Sequence, residues 1–156
     1  MKDIILNEIE ENISVNQDLV STSIDSIAQA ATLMISVIKT GNKILWCGNG
    51  GSASDSQHLS AELIGRFKKN RIPYKSICLS ADSVATTCIA NDFGYENLFS
   101  RQIEALGRPG DLLIVLSTSG NSINIKKVLE MAASKNIQSI SFLGKKGGIV
   151  KDLSLI

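Results

Sequence analysis

Four short apolar runs, each separated from the next by a stretch of helical spacing, constrain this chain more than any other feature. They are KILWC from Lys43, YKSICLS from Tyr74, DLLIVLS from Asp111 and IQSISFLG from Ile137. Between them lie SASDSQHLSAELIGRF, DSVATTCIAN, GYENLFSRQIEALG and NSINIKKVLEMAASKN, which read as helices. Strands that are apolar on successive residues need cover on both faces, and intervening helices supply it. The pattern predicts an α/β fold, with a parallel, Rossmann-like sheet inside a three-layer αβα sandwich.

Two helices precede the first strand. Ile4, Ile5, Ile9 and Ile13 recur at helical spacing from Lys2 to about Ser14, and a second pattern runs from about Gln17 to Thr40, stopping at Gly41-Asn42. In the second, Leu19, Val20, Ile24, Ile27, Ala31, Met34, Ile35 and Ile38 make a broad apolar set. Such breadth fits either packing under a sheet edge or an oligomer interface. No repeat, low-complexity tract or linker interrupts the chain, so residues 1–156 read as one domain, with helices over 1–41 and an α/β core over 43–156.

At 156 residues, with 44% apolar and 20% charged, the chain is long enough for a real core and is neither a fibre nor a disordered tail. A formal charge of +1 gives no reason to expect nucleic acid or an anionic membrane as a partner. Cys47, Cys78 and Cys88 lack CxxC spacing, are odd in number and lie in apolar surroundings, which fits reduced, buried thiols better than a disulfide framework. The N-terminal MKDIILNEIEENI carries acids where a signal peptide needs an apolar run, and no 18-residue apolar span occurs. A cytoplasmic location is expected.

In a doubly covered parallel sheet, ligands bind beyond the carboxyl ends of the strands, where helix N-termini present unpaired N–H groups. The first strand leads into Cys47-Gly48-Asn49-Gly50-Gly51-Ser52. Gly48, Gly50 and Ala53 satisfy GxGxx[GA] between a strand and a helix, a weak match to a dinucleotide fingerprint, and Asp82 comes late for its acidic partner. Glycines serving only a tight turn would look the same. A Walker loop is excluded, because no GK[ST] follows.

The third strand leads into Ser117-Thr118-Ser119-Gly120-Asn121-Ser122. Serine and threonine are ordinary N-caps, but one cap needs one residue, and four hydroxyls surround this glycine. Hydroxyls and N–H groups at a helix N-terminus suit a phosphate monoester. His58 and Glu62, four residues apart, share a helical face. They could be a surface pair, two metal ligands, or an acid/base pair facing substrate. Asn91 and Asp92, in NDFG, could bind sugar hydroxyls or cap the next helix. Gly144-Lys145-Lys146-Gly147-Gly148 follows the fourth strand as a further turn.

With CGNGGS, QHxxxEL, NDFG and STSGNS in this order, the chain resembles the sugar isomerase (SIS) domain family, and within it the phosphoheptose isomerases, over nearly its whole length. The resemblance implies a homotetramer with active sites between subunits. It implies conversion of sedoheptulose 7-phosphate to D-glycero-D-manno-heptose 7-phosphate, toward lipopolysaccharide or capsule. Asn49, Gly50, Gly51, Ser52, Glu62, Asn91 and Asp92 would contact substrate, and Ser117, Thr118, Ser119 and Ser122 would hold its phosphate. Glu62 matches the catalytic acid/base, and His58 with Glu62 match positions that bind zinc.

Family members continue into a fifth strand and a C-terminal helix with an RIQExH-like signature, which supplies a second catalytic histidine and a glutamine. His58 is the sole histidine here, and Leu153 to Ile156 reads as the opening of a strand. The expectation is that the remaining donors, including further zinc ligands, lie beyond Ile156. The alternative is a non-catalytic SIS protein that binds a sugar phosphate or a replication-initiation partner. Such relatives lack the QHxxxEL carboxylate and alter STSGNS, whereas both motifs are intact here. A dinucleotide oxidoreductase is disfavoured by the two phosphate-type loops.

Overall fold

The computed structural model describes residues 1–156. The chain forms two compact units, Met1–Leu33 and Met34–Ile156. Helix α1 spans Lys2–Thr22 and α2 spans Ile24–Lys39. The sequence predicts a break near residues 14–17, but α1 runs through it. No glycine or proline interrupts that stretch, and the Asn16 amide bonds back to the Asn12 carbonyl at 2.8 Å along the helix. The break falls at Ser23, whose φ of −130° leaves the helical range. Just before it, the Ser21 and Thr22 hydroxyls both donate to the Asp18 carbonyl, the local competition by which such residues loosen a helix end.

In the second unit, strands β1 (Ile44–Gly48), β2 (Ser76–Cys78), β3 (Leu112–Ser117) and β4 (Gln138–Leu143) form one parallel sheet in the order β2-β1-β3-β4. Every β1 residue is buried, as the unbroken apolar run requires. Alternate residues serve opposite faces. Leu45, Cys47, Leu113 and Val115 join a core with Leu98, Phe99 and Ile103 of α5 (Leu98–Leu106) and Ile125, Val128, Leu129 and Ala132 of α6 (Ile123–Ser134). On the other face Trp46 donates from Nε1 to the Ser76 hydroxyl, which also bonds Ser60 of α3 (Gly51–Ile64) at 2.8 Å. The fold is the αβα sandwich that the sequence predicts.

Two elements differ from expectation. β2 keeps three residues, because the Tyr74 N–H turns back to the Leu63 carbonyl of α3 instead of extending the ladder. Helix α4 runs Ser83–Phe93, two residues past Asn91, where the helical stretch read from the sequence ends, and stops at Gly94. Its start is the Asp82 carboxylate, which accepts from the N–H groups of Val84 and Ala85 at 2.9 Å. A 3₁₀ turn, Tyr95–Asn97, then leads into α5. Beside β4, Leu155 donates its N–H to the Ser139 carbonyl and the Ile156 carbonyl accepts from Ser141. These bonds begin strand-like pairing along the β4 edge.

Candidate active site

β1 connects to β2 on one side of the sheet and β3 to β4 on the other, so the chain diverges between β1 and β3. A crevice opens at such a divergence, beyond the carboxyl ends of the strands. A cavity of about 210 Å³ lies there, lined by Asn49 and Ser52 after β1 and by Leu116, Ser117, Thr118, Ser119 and Ser122 after β3. The two loops that sequence reading singles out separately thus form one site.

Each loop is held in shape by its backbone. A Cβ on Gly48 would lie 2.5 Å from the Ser52 carbonyl oxygen, so the first turn of α3 can sit against the end of β1 only over glycine. Gly120 has φ +64°, and a Cβ there would overlap the Gly147 carbonyl. The β3 loop is therefore seated on the Gly144–Gly148 turn. Further bonds fasten it: the Gly120 carbonyl accepts from Val150, and the Asn121 side chain accepts from the Ile149 N–H at 3.1 Å. Sequence reading notes that turn without giving it this role.

The hydroxyls of the loop have distinct hydrogen-bonding states. Ser117 Oγ accepts from the Gly120 N–H at 3.1 Å, and Ser119 Oγ accepts from the Asn121 N–H at 3.2 Å. Each hydroxyl shapes the loop through a lone pair and keeps its O–H to donate elsewhere. Ser122 occupies the N-cap position of α6, yet its side chain makes no cap hydrogen bond. That removes the simplest structural explanation for this serine. Donors that converge at a helix N-terminus, where the macrodipole favours negative charge, are the chemistry of an anion site.

Asn49 crosses between the loops. Its amide exchanges two hydrogen bonds of 2.9 Å with the amide of Asn124, in the first turn of α6, and its Oδ1 also accepts from the Tyr95 hydroxyl at 2.9 Å. Asn124 is buried. Sequence reading missed Asn124 and Tyr95. A buried asparagine near the start of a helix, where its side chain competes with backbone bonding, was the available signal.

The other sequence-predicted residues lie outside this cavity. His58 and Glu62 sit on α3, with His58 Nε2 3.6 Å from Glu62 Oε1 and the imidazole 74% exposed. Glu62 Oε2, by contrast, is buried and has no hydrogen-bond partner. A buried acceptor left open costs stability, and chemistry or a ligand is one reason to keep it; the Ser141 hydroxyl is buried and unpartnered in the same way. Ten residues of helix separate Ser52 from Glu62, about 15 Å of rise. Asn91 and Asp92 lie in the last turn of α4, bonded to one another at 2.7 Å, and Asp92 accepts weakly from Cys88. Gly50 and Gly51 begin α3.

The donor set on α3 does not by itself make a zinc site. His58 and Glu62 supply two ligands, a catalytic zinc takes three from protein, and no cluster of three metal-ligating side chains occurs.

Comparison with known proteins places this geometry. Residues 9–144 match the SIS domain family. A phosphoheptose isomerase of Akkermansia muciniphila is 45% identical over 154 residues, 99% of this chain and 81% of the relative. The chain belongs to the SIS domain family, among the phosphoheptose isomerases. Solved phosphoheptose isomerases agree in fold. That of Francisella tularensis superposes with a TM-score of 0.93 at 34% identity, over 97% of this chain and 80% of its own. That of Neisseria gonorrhoeae gives 0.89 at 36% identity, over 98% and 82%.

Proposed function

We propose that this protein interconverts sedoheptulose 7-phosphate and D-glycero-D-manno-heptose 7-phosphate, as an aldose–ketose isomerase of heptose biosynthesis for lipopolysaccharide or capsule. The observation that carries the reading is the hydroxyl-lined cavity at the sheet divergence, in a chain 45% identical to a phosphoheptose isomerase. The phosphate is held by Ser117, Thr118, Ser119 and Ser122, with Ser52 at the facing helix start. Fixing that end of the sugar aligns the other, so its binding energy lowers the barrier at the reacting carbons.

Moving a carbonyl between C1 and C2 requires a base to take the proton from one carbon and return it to the other through an enediol. Glu62 is assigned this work. Its Oε2 lacks a hydrogen bond in the folded chain and is free to accept the carbon-bound proton. His58, beside the other carboxylate oxygen, helps hold Glu62 in place and is available to a sugar oxygen. Asn49, Gly50, Gly51, Asn91 and Asp92 complete the contacts to sugar hydroxyls and backbone. Zinc at His58 and Glu62 would need further donors, and no step of the reaction is routed through it.

The assembly proposed is a homotetramer with active sites shared between subunits. Two observations support it. Glu62 lies about 15 Å along α3 from the phosphate cavity of its own chain. Helix α1 buries none of its residues, leaving Ile4, Ile9 and Ile13 more than half exposed. An apolar stripe of that length is ordinarily covered by a partner. No single helix is long and apolar enough to cross a membrane; the proposed place of action is the cytoplasm.

The test is turnover of sedoheptulose 7-phosphate followed by appearance of the aldose. Solvent deuterium should enter at the carbon that receives the proton, to the extent that the proton held on Glu62 exchanges with solvent during the lifetime of the enediol. A protein that binds the sugar phosphate without turnover would be the non-catalytic alternative.

A further inference from the structure

We propose that Asn124 and Tyr95 are positioning residues for this isomerase. Together they turn the Asn49 amide into a donor-only contact to substrate and hold the two phosphate-site loops at a set spacing. The inference rests on the proposed reading that Asn49 touches the sugar phosphate.

A primary amide has two N–H donors and an oxygen with two lone pairs. Both lone pairs of Asn49 Oδ1 are occupied, one by Asn124 Nδ2 and one by the Tyr95 hydroxyl. One Nδ2 proton goes to Asn124 Oδ1. What remains is a single N–H, on a residue that lines the cavity with Ser52, Ser117 and Ser122. An Asn49 so saturated cannot present its oxygen to an anion, where lone pair would meet lone pair. It meets phosphate or sugar oxygens only as a donor, like the serine hydroxyls around it.

The pair also sets distance. Asn49 follows β1 and Asn124 belongs to the first turn of α6, so two bonds of 2.9 Å tie the β1 loop to the start of α6. Asn124 is 3% exposed and its reciprocal bonds to Asn49 are part-buried, where shielding from water strengthens a hydrogen bond. Tyr95 lies in the 3₁₀ turn that Lys127 of α6 also grips, through Asn97 at 2.9 Å and Glu96. The turn, the β1 loop and α6 therefore share one network. Neither Asn124 nor Tyr95 lines the cavity, so both act through Asn49.

A double-mutant cycle tests this, read as KM and kcat for sedoheptulose 7-phosphate and as its equilibrium affinity, in the full protein. Asn124→Ala alone should weaken binding about tenfold with little change in kcat, whereas in an Asn49→Ala background it should add less than about twofold. Equal losses in both backgrounds would overturn the inference, since Asn124 would then act independently of Asn49. Tyr95→Phe keeps the ring, at a half-exposed position, and removes only the hydroxyl. It should raise KM a few-fold, and an unchanged KM and affinity would remove Tyr95 from the proposal whether or not Asn124→Ala folds. If Asn49→Ala itself binds substrate as tightly as the parent, the reading of Asn49 as a substrate contact fails, a result distinct from additivity in the cycle.

Discussion

Glu62 and His58 are one turn apart on α3, but their surroundings differ: the imidazole is mostly in solvent, while one carboxylate oxygen is buried without a partner. That contrast supports the proposal of Glu62 as the base. Glu62→Gln keeps the shape and removes the proton acceptor, so turnover should fall by about 10²–10⁴-fold with sugar-phosphate affinity largely retained. Parallel kinetic and calorimetric measurements check both halves, and undiminished turnover would refute the assignment. The cysteines differ in a similar way. Burial, reinforced by nearby Cys78, pushes the Cys47 thiol far above its ordinary range, so it stays protonated and inert. A thiol reagent should modify exposed Cys88 in the native protein and reach Cys47 only on unfolding; mass spectrometry of the labelled chain decides. Because the folded pKa of Cys47 is raised, the folded state holds a proton that the unfolded chain gives up. Its contribution is intact below the unfolded value near 9.0 and is lost as pH rises above it.

Among the elements, the β3 loop and the start of α6 line the proposed phosphate site, and here stability and binding can be separated. Ser122 sits where a helix cap belongs but makes no cap bond. Removing a working cap costs about 1 kcal/mol. Ser122→Ala should change stability by less than about 0.5 kcal/mol while weakening sugar-phosphate binding several-fold, measured by denaturation and titration on the same preparation. Gly120 behaves oppositely. A side chain there meets the Gly147 carbonyl and must adopt positive φ, so Gly120→Ala should cost about 2 kcal/mol or more and disable binding together with folding. The Gly144–Gly148 turn is thus a buttress for the loop.

For the molecule as a whole, α1 is the element whose apolar side chains point to assembly. Its isoleucines recur at helical spacing, and the folded chain leaves them exposed. Sedimentation should show a tetramer. Placing lysine at Ile9 and Ile13 should dissociate it and abolish turnover, with helix content in the Met34–Ile156 unit retained. Loss of assembly with full turnover would show that each chain holds a complete site.

The sheet, most helices and the hydroxyl-rich loop at a helix start were legible in the sequence, because burial on both faces imposes continuous apolar strands and because four hydroxyls exceed what one helix cap needs. Local pattern was weaker where side-chain bonding decides. The path through Asn16, the break at Ser23, the extension of α4 through Asn91 and Asp92, and the short β2 all depend on individual hydrogen bonds. The sequence alone determined which residues are chemically able to act: the serines, Glu62, His58 and Asn49. Only the tertiary structure decided which of them meet. Asn49 and Asn124, 75 residues apart, bond to join the β1 loop to the start of α6, whereas His58 and Glu62, closer in sequence to the glycine loop, are carried away from it by the rise of α3.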